Sequence, residues 1–151
     1  VLEFLDGYGV YGIELFETQD GEILVNEIAP RPHNSGHWTI EGARTSQFET
    51  HVRAVLGWPL GPTELRAPTV SVNLLGDVDE PEPATLYNVD SVLDDADANL
   101  HWYGKHEARP LRKMGHLTLT DPEADADDTV ARDALLDHAE SLRDGITFVG
   151  E

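Results

Sequence analysis

The sequence has no cysteine, no long apolar run and no glycine-rich phosphate loop of the Walker type. The lack of cysteine excludes disulfides, thiolate catalysis and thiolate metal sites, and it fits a cytoplasmic protein. No run of about 18 apolar residues occurs, so we predict no membrane-spanning helix and no membrane partner. Without a Walker loop, P-loop chemistry is excluded.

The start of the sequence also lacks the features of a natural N-terminus. It has neither an initiator methionine nor a signal peptide, and it begins inside an apolar pattern at Val1. We therefore expect the chain to be a fragment, or a product truncated at its N-terminus.

Positive charge is scarce as well. The 151 residues contain 29 Asp and Glu against 10 Lys and Arg, which gives a formal net charge of −19. A chain this acidic repels phosphate, which argues against nucleic acid as a partner. Adaptation to high salt, where charge repulsion is screened, is the interpretation we favour, and an acidic surface without such adaptation is the alternative. A hydrophobic content of 40% is enough to support a core.

Four of the ten cations lie close together in the sequence. Both lysines, Lys105 and Lys113, lie within nine positions of each other, with Arg109 and Arg112 between them. In so acidic a chain this cluster predicts an anion site. An ordinary charged loop is the alternative.

The segment from Val25 to Trp38 combines acidic, basic, imidazole and amide side chains, as a functional site does. Two prolines flank Arg31, and prolines fix φ and disfavour helix in the residue before them. His33 and Asn34 follow directly, and a stiff loop on a rigid scaffold is where such groups collect. Alone, Arg31 could equally pair with a neighbouring acid, and His33 could be a hydrogen-bonded structural histidine.

A hairpin precedes this loop. Residues 10–16 and 23–28 have strand patterns, and Asp20-Gly21 between them suits a two-residue type I′ turn. In that register Glu14 faces Glu27 and Phe16 faces Val25. Opposed acids about 4.5–5.5 Å apart are destabilising, so we predict a divalent cation, with Mg²⁺ the best match. Alternatively, one acid points to solvent, or the loop is one residue longer and Glu14 and Glu27 are not opposed.

The rest of the chain mixes helices and strands. The patterns predict a helix over 39–57, a proline-rich linker over 57–68, a strand over 69–75, short strands near 85–89, 100–103 and 117–119, and a final helix from Asp121 to about Arg143. The fold class is therefore α+β.

Two blocks of the sequence carry a family resemblance. The first lies within residues 9–60 and includes Gly12-Ile13-Glu14-Leu15-Phe16, Asn26 to His37, and Thr45-Ser46-Gln47-Phe48-Glu49. The second includes His101-Trp102-Tyr103-Gly104-Lys105, Arg109-Pro110, Arg112-Lys113 and Gly115-His116. Together they resemble the N5-carboxyaminoimidazole ribonucleotide synthetase family of ATP-grasp enzymes.

The resemblance implies a domain organisation. Residues 1–60 would be the C-terminal portion of an ATP-grasp domain, and residues 61–151 a small β-rich C-terminal domain with a terminal helix. The N-terminal half of the enzyme would then be a missing partner that carries the adenine pocket. The family also suggests a homodimer.

The resemblance further implies a reaction, the ATP-dependent carboxylation of aminoimidazole ribonucleotide with bicarbonate in purine biosynthesis, through carboxyphosphate. Glu14 and Glu27 would bind Mg²⁺, and Asn26 with Glu27 would bind the nucleotide. Arg31 would bind bicarbonate or carboxyphosphate, while His33 and Asn34 orient the reacting groups. These three residues are the catalytic candidates.

In the second block, the resemblance assigns the phosphate of the ribonucleotide to Lys105 and Arg112, with Arg109 and Lys113 nearby. One departure from the family pattern lies in this block, because Leu111 occupies a position where glycine is expected.

Two other functions stay open. Formate-dependent glycinamide ribonucleotide formyltransferase shares the Pro-Arg-Pro-His core, but it continues with Asp-Thr-Gly-Met where this chain has Asn34-Ser35-Gly36-His37. The chain could also be a metal-binding fragment without turnover of its own.

Overall fold

The computed structural model describes residues 2–149, and the chain divides after Leu65 into two compact units. The first unit contains α1 (Leu2–Leu5), β1 (Gly12–Glu17), β2 (Ile23–Ala29), a 3₁₀ turn (Asn34–Gly36), α2 (Thr39–Gly42) and α3 (Gln47–Val55). The second contains β3 (Thr69–Leu75), β4 (Glu82–Pro83), α4 (Asp90–Leu93), β5 (Ala98–Trp102), β6 (Glu107–Ala108), β7 (Lys113–Thr120) and α5 (Thr129–Gly145). This mixture confirms the predicted α+β class. The domain division predicted at residues 60 and 61 stays a prediction.

None of the helices in residues 2–149 is both long enough and apolar enough to cross a membrane.

The turn of the β1–β2 hairpin is one residue longer than predicted. The N–H of Thr18 donates to the carbonyl of Glu22 at 2.9 Å, and the N–H of Gly21 donates to the carbonyl of Thr18 at 2.9 Å. Gly21 has a φ of +84°. This is the pattern of a three-residue loop, in which a tight turn is followed by a left-handed residue. The predicted two-residue Asp20-Gly21 turn is therefore wrong.

A β-bulge compensates for the longer turn. Leu15 pairs with Val25 and Glu14 pairs with Glu27, so Asn26 is an extra residue on β2. Phe16 consequently pairs with Leu24, not with Val25 as predicted. Beyond the bulge the predicted register holds, because the extra residue in the turn and the extra residue in the strand cancel.

The single helix predicted over residues 39–57 is wrong, because two helices occupy this stretch. Ala43 is extended, with φ −109° and ψ 155°, and forms an isolated bridge with Leu65. The side chain of Ser46 then caps α3 by accepting a hydrogen bond from the N–H of Glu49 at 3.2 Å. A hydroxyl cap satisfies a free N–H at a helix start, so the chain begins a new helix here.

The first unit leaves much of its apolar surface exposed. Of its described apolar residues, the buried ones are Ala29 and Ala43. The large side chains of the hairpin are exposed by about half: Leu15, Phe16, Ile23, Leu24 and Val25. Burying a large apolar side chain contributes about 1.5–3 kcal/mol, so this hairpin has surface available for a partner.

The second unit has a conventional core. The antiparallel sheet has the order β3-β7-β5, and α5 packs on β3 and β7. Strand β3 has the predicted bounds. Every second side chain, at Val70, Val72 and Leu74, is buried in the core. The main core cluster consists of Val70, Val72, Leu74, Val92, Leu117, Leu119, Leu135, Ala139 and Ile146.

Two expectations for the second unit are wrong. Residues 85–89 form no strand; Tyr87 makes an isolated bridge with Thr147, and α4 follows. The final helix begins at Thr129 instead of Asp121. Its cap is Asp128, whose side chain accepts hydrogen bonds from the N–H groups of Val130 and Ala131 at 2.9 and 3.0 Å.

Candidate functional site

The centre of the candidate site is the pair Glu14 and Glu27, which are opposed on β1 and β2. Opposed residues of an antiparallel pair point to the same face of the sheet. The side chains of Glu14 and Glu27 are 39% and 50% exposed, so a ligand can reach both. The bulged Asn26 donates from Nδ2 to Oε2 of Glu14 at 3.3 Å, which places this predicted residue at the same site.

The ring of His33 lies beside both carboxylates. Its Nδ1 is 3.7 Å from Oε1 of Glu14, and its Nε2 is 3.9 Å from Oε1 of Glu27. The His33 side chain is 12% exposed, so its ring is held in place rather than loose on the surface. The structure thus brings together three of the predicted residues, two from strands and one from the loop that follows.

Ser35 belongs to this cluster, although the sequence did not single it out. Its Oγ donates to Oε1 of Glu14 at 3.2 Å and lies 2.7 Å from Nδ1 of His33. The 3₁₀ turn brings Ser35 back towards the hairpin. Its place two residues after His33, inside a loop already rich in polar groups, was the available signal.

Gly12 provides the space for His33. A Cβ added at Gly12 would lie 2.6 Å from Cβ of His33 and 2.8 Å from its Cγ. Contacts this short are sterically forbidden for real side chains. Glycine at the start of β1 therefore lets the histidine loop approach the strand closely.

Arg31 and Asn34 lie in the same loop as His33. The exposed Arg31 donates from Nη1 to the carbonyl of Pro32 at 3.0 Å, and no described carboxylate of the first unit lies within 4.0 Å of its guanidinium. The alternative in which Arg31 pairs with an acid of this unit is therefore not realised. Asn34 begins the 3₁₀ turn and is half-buried.

The carboxylates of Glu14 and Glu27 are the groups of this site that could hold a metal ion. In residues 2–149, no group of three or more His, Asp or Glu side chains is arranged to hold a metal ion. Mg²⁺ is commonly bound by one or two carboxylates and completes its shell with phosphate oxygens and water. The opposed pair Glu14 and Glu27 fits that requirement.

The second unit holds the clustered cations. The Nζ of Lys105 donates to the carbonyl of Lys113 and lies 5.6 Å from the centre of the Tyr103 ring. Burial, and then the charges of Arg112 and Lys113, lower the pKa of Lys105. The charges of Arg112 and Lys113 therefore act on Lys105, and a bound anion would offset that effect.

Arg109 differs from the other three cations. Its Nε donates to the carboxylate of Glu107, so its charge is already paired. Arg112 instead donates from Nη1 to the main-chain carbonyl of Glu107 at 2.9 Å. Of the four predicted phosphate ligands, the structure thus brings Lys105, Arg112 and Lys113 together and gives Arg109 an acidic partner.

A tight turn presents Arg112. The N–H of Arg112 donates to the carbonyl of Arg109 at 3.0 Å, and Leu111 between them has a φ of +58°. Proline at the second position and a positive φ at the third are the pattern of a type II turn, which favours glycine there. Two main-chain hydrogen bonds with Gly76, at 3.0 and 2.9 Å, fix this turn to the end of β3. A Cβ on Gly76 would lie 2.3 Å from the carbonyl oxygen of Arg109.

Comparisons with known families match both units. Residues 1–48 match the ATP-grasp domain, and residues 69–129 match the phosphoribosylaminoimidazole carboxylase C-terminal domain. The N5-carboxyaminoimidazole ribonucleotide synthase of Mycobacterium leprae is 54% identical over 127 residues, which cover 78% of this chain and 28% of that protein. The chain thus spans less than a third of this curated relative.

Solved structures agree with these matches. The crystal structure of N5-carboxyaminoimidazole ribonucleotide synthetase from Thermotoga maritima has a TM-score of 0.83 at 48% identity and covers 99% of this chain and 40% of that one. The N5-carboxyaminoimidazole synthase from Aspergillus clavatus, in complex with ADP and 5-aminoimidazole ribonucleotide, has a TM-score of 0.75 at 37% identity. It covers 92% of this chain and 36% of the Aspergillus chain.

Proposed function

Because this chain belongs to the N5-carboxyaminoimidazole ribonucleotide synthase family, we propose that it contributes part of the active site for ATP-dependent carboxylation of aminoimidazole ribonucleotide by bicarbonate. The reaction would belong to purine biosynthesis and proceed through carboxyphosphate. The observation that carries the proposal is the opposed pair Glu14 and Glu27 with the ring of His33 within 4 Å of both.

The hairpin would hold the magnesium–nucleotide complex. Glu14 and Glu27 are the proposed metal ligands, and Asn26 orients Glu14 through its 3.3 Å hydrogen bond. The two carboxylates would hold a magnesium ion, which would supply charge neutralisation at the phosphate oxygens. The two half-exposed carboxylates supply the hard oxygen ligands that this ion prefers.

The loop after β2 would handle the carboxyl group. The planar guanidinium of Arg31 suits bidentate binding of bicarbonate or carboxyphosphate, and its exposure leaves it accessible to such an anion. His33 would orient the carboxyl group from its fixed place beside the metal ligands. Asn34 would orient the amine of the ribonucleotide.

The cation cluster of the second unit would bind the phosphate of the ribonucleotide. The Nζ of Lys105 donates to the carbonyl of Lys113, and Arg112 directly precedes Lys113, so a dianionic phosphate bound there would offset three positive charges. Arg109 would contribute less, because Glu107 already neutralises it. We therefore propose Lys105, Arg112 and Lys113 as the main phosphate ligands among the four candidates.

The remaining part of the enzyme is the proposed partner of the first unit. The exposed apolar hairpin supports this, and the matched segment makes up only 28% of the Mycobacterium leprae relative. The proposal also includes a homodimer, a cytoplasmic location and the assignment of residues 1–60 and 61–151 to separate domains.

The proposal is tested by ADP release from the complete enzyme that contains this chain. We expect release with bicarbonate plus aminoimidazole ribonucleotide and none with formate plus glycinamide ribonucleotide. The opposite preference would identify a formyltransferase. Release with neither pair would refute both functions.

The metal site has a separate test in the same enzyme. We expect Glu27→Gln to weaken magnesium–ADP binding by at least about tenfold in isothermal titration, because one of two charged ligands is lost. Glu17→Gln, an exposed carboxylate at the end of β1, is the matched control and should leave affinity unchanged. Equal affinities for both variants would refute the role of Glu27. Titration of the 151-residue chain alone would show whether the fragment retains any nucleotide binding.

A further inference from the structure

We propose that Gln47 is a positioning residue, which holds the main chain of His33 so that its ring stays between the two carboxylates. The side-chain amide of Gln47 bonds both main-chain groups of His33. Oε1 accepts from the N–H of His33 at 2.8 Å, and Nε2 donates to its carbonyl at 2.7 Å. Insofar as it concerns catalysis, this inference rests on the proposed function.

Gln47 is itself held at its own main chain. It is the first residue of α3, and its N–H donates to Oγ1 of Thr39 at 2.9 Å. The same Thr39 hydroxyl donates to the carbonyl of Gly36 at 2.5 Å. A helix start and a 3₁₀ turn are thus joined through one threonine, and the glutamine reaches His33 from a fixed base.

Gly36 leaves room for the amide. A Cβ added at Gly36 would lie 2.6 Å from Oε1 of Gln47, which is closer than any ordinary contact. The glycine at the end of the 3₁₀ turn therefore serves the same arrangement. Any larger residue there would displace the amide from His33.

Packing alone does not explain how His33 is fixed. A cavity of about 420 Å³ lies next to it, with His33, Ser35, Trp38, Thr39, Gln47 and Thr50 among its lining residues. Open volume on that side leaves room for the segment to move, and the two hydrogen bonds from Gln47 restrain it there. A neutral amide is suited to this because it donates and accepts at once.

The test compares two variants in the complete enzyme. Gln47→Met keeps the length of the side chain and removes both hydrogen bonds. Gln47→Glu keeps the acceptor for the N–H of His33 but has no donor for its carbonyl. Gln19→Met, in the exposed hairpin turn, is the matched control for the same chemical change.

The first measurement is hydrogen exchange, detected by mass spectrometry of the peptide that contains His33. We expect Gln47→Met to speed exchange at this amide by about tenfold, since a net hydrogen bond is lost there. Gln47→Glu should stay closer to the parent protein. Exchange in Gln47→Met equal to that in Gln19→Met would overturn the proposal.

Kinetics is the second measurement. We expect Gln47→Met to lower kcat by about 10- to 100-fold with the KM for ATP changed less than twofold, because small misplacements of reacting groups cost rate more than binding. Gln47→Glu should fall between this variant and the parent, and it carries the test if Gln47→Met does not fold. An unchanged kcat in the variants would overturn the positioning role. A parent enzyme with no bicarbonate-dependent ADP release would instead refute the proposed function, and exchange would still decide whether Gln47 holds His33.

Discussion

Replacing Leu111 with glycine should stabilise the second unit. Leu111 is the third residue of the turn that presents Arg112, and its φ of +58° lies in the left-handed region. Its side chain is 77% exposed, so little burial is lost on truncation. The family resemblance already marked this position as one where glycine is expected.

The size of the effect follows from two opposing terms. The left-handed conformation costs a residue with a Cβ about 1–2 kcal/mol, and glycine removes that cost. Glycine in turn loses about 0.5–1 kcal/mol through the greater freedom of its unfolded chain. The net expectation is a gain of about 0.5–1 kcal/mol, or a rise in Tm of about 2–8 °C for a domain of this size.

Thermal and urea unfolding of the parent chain and two variants would measure this gain. Leu93→Gly is the matched control, because Leu93 is 64% exposed and is not among the described residues with positive φ. It should lose about 0.5–1 kcal/mol, since glycine weakens a helix without relieving strain. If Leu111→Gly destabilised the chain as much as Leu93→Gly, the strain inferred at Leu111 would be refuted.

Three further predictions concern the site, the acid stability and the charge. Gly12→Ala should displace His33 and cost about 1–3 kcal/mol by overpacking, whereas Gly145→Ala, with no atom within 4 Å of its added Cβ, should be neutral or stabilising in urea unfolding. Burial raises the pKa of Asp95, but hydrogen bonds from His138 at 2.6 Å and from the main chain lower it overall. Its stabilisation is therefore present above its ordinary pKa of 3.8 and lost as the pH falls through the lower folded value, so Asp95→Asn should flatten the acid side of a stability–pH curve. Finally, the net charge of −19 predicts that the urea midpoint rises between about 0.1 and 1 M KCl, where the screening length falls from about 10 to 3 Å; a constant midpoint would contradict the high-salt interpretation.

Local chemistry made several features readable from the sequence. The alternation of Val70, Val72 and Leu74 defined β3, because one face of a strand must be buried. The spacing of Glu14 and Glu27 around a turn indicated an opposed acid pair. The clustering of scarce cations indicated an anion site. Each of these depends on neighbours in the chain, which the sequence displays directly.

The errors arose where a local pattern admitted more than one geometry. A three-residue turn and a bulge at Asn26 replaced the predicted two-residue turn, and the acid pair was recovered only because these changes cancel. The helix over residues 39–57 was interrupted because Ala43 pairs with Leu65, a contact across more than twenty positions. No helical pattern in the sequence carries that information.

The sequence by itself determined the fold class and the family resemblance, and it supplied candidate residues for each site, because composition, spacing and motif order are properties of the chain. Only the tertiary structure decided that Ser35 and Gln47 belong with His33, and that Arg109 pairs with Glu107 while Lys105 contacts Lys113. The physical reason is that hydrogen bonds and ion pairs depend on distances of about 3 Å. Such distances are set by the folded path of the main chain, including its bulges and left-handed turns, which no residue type specifies alone.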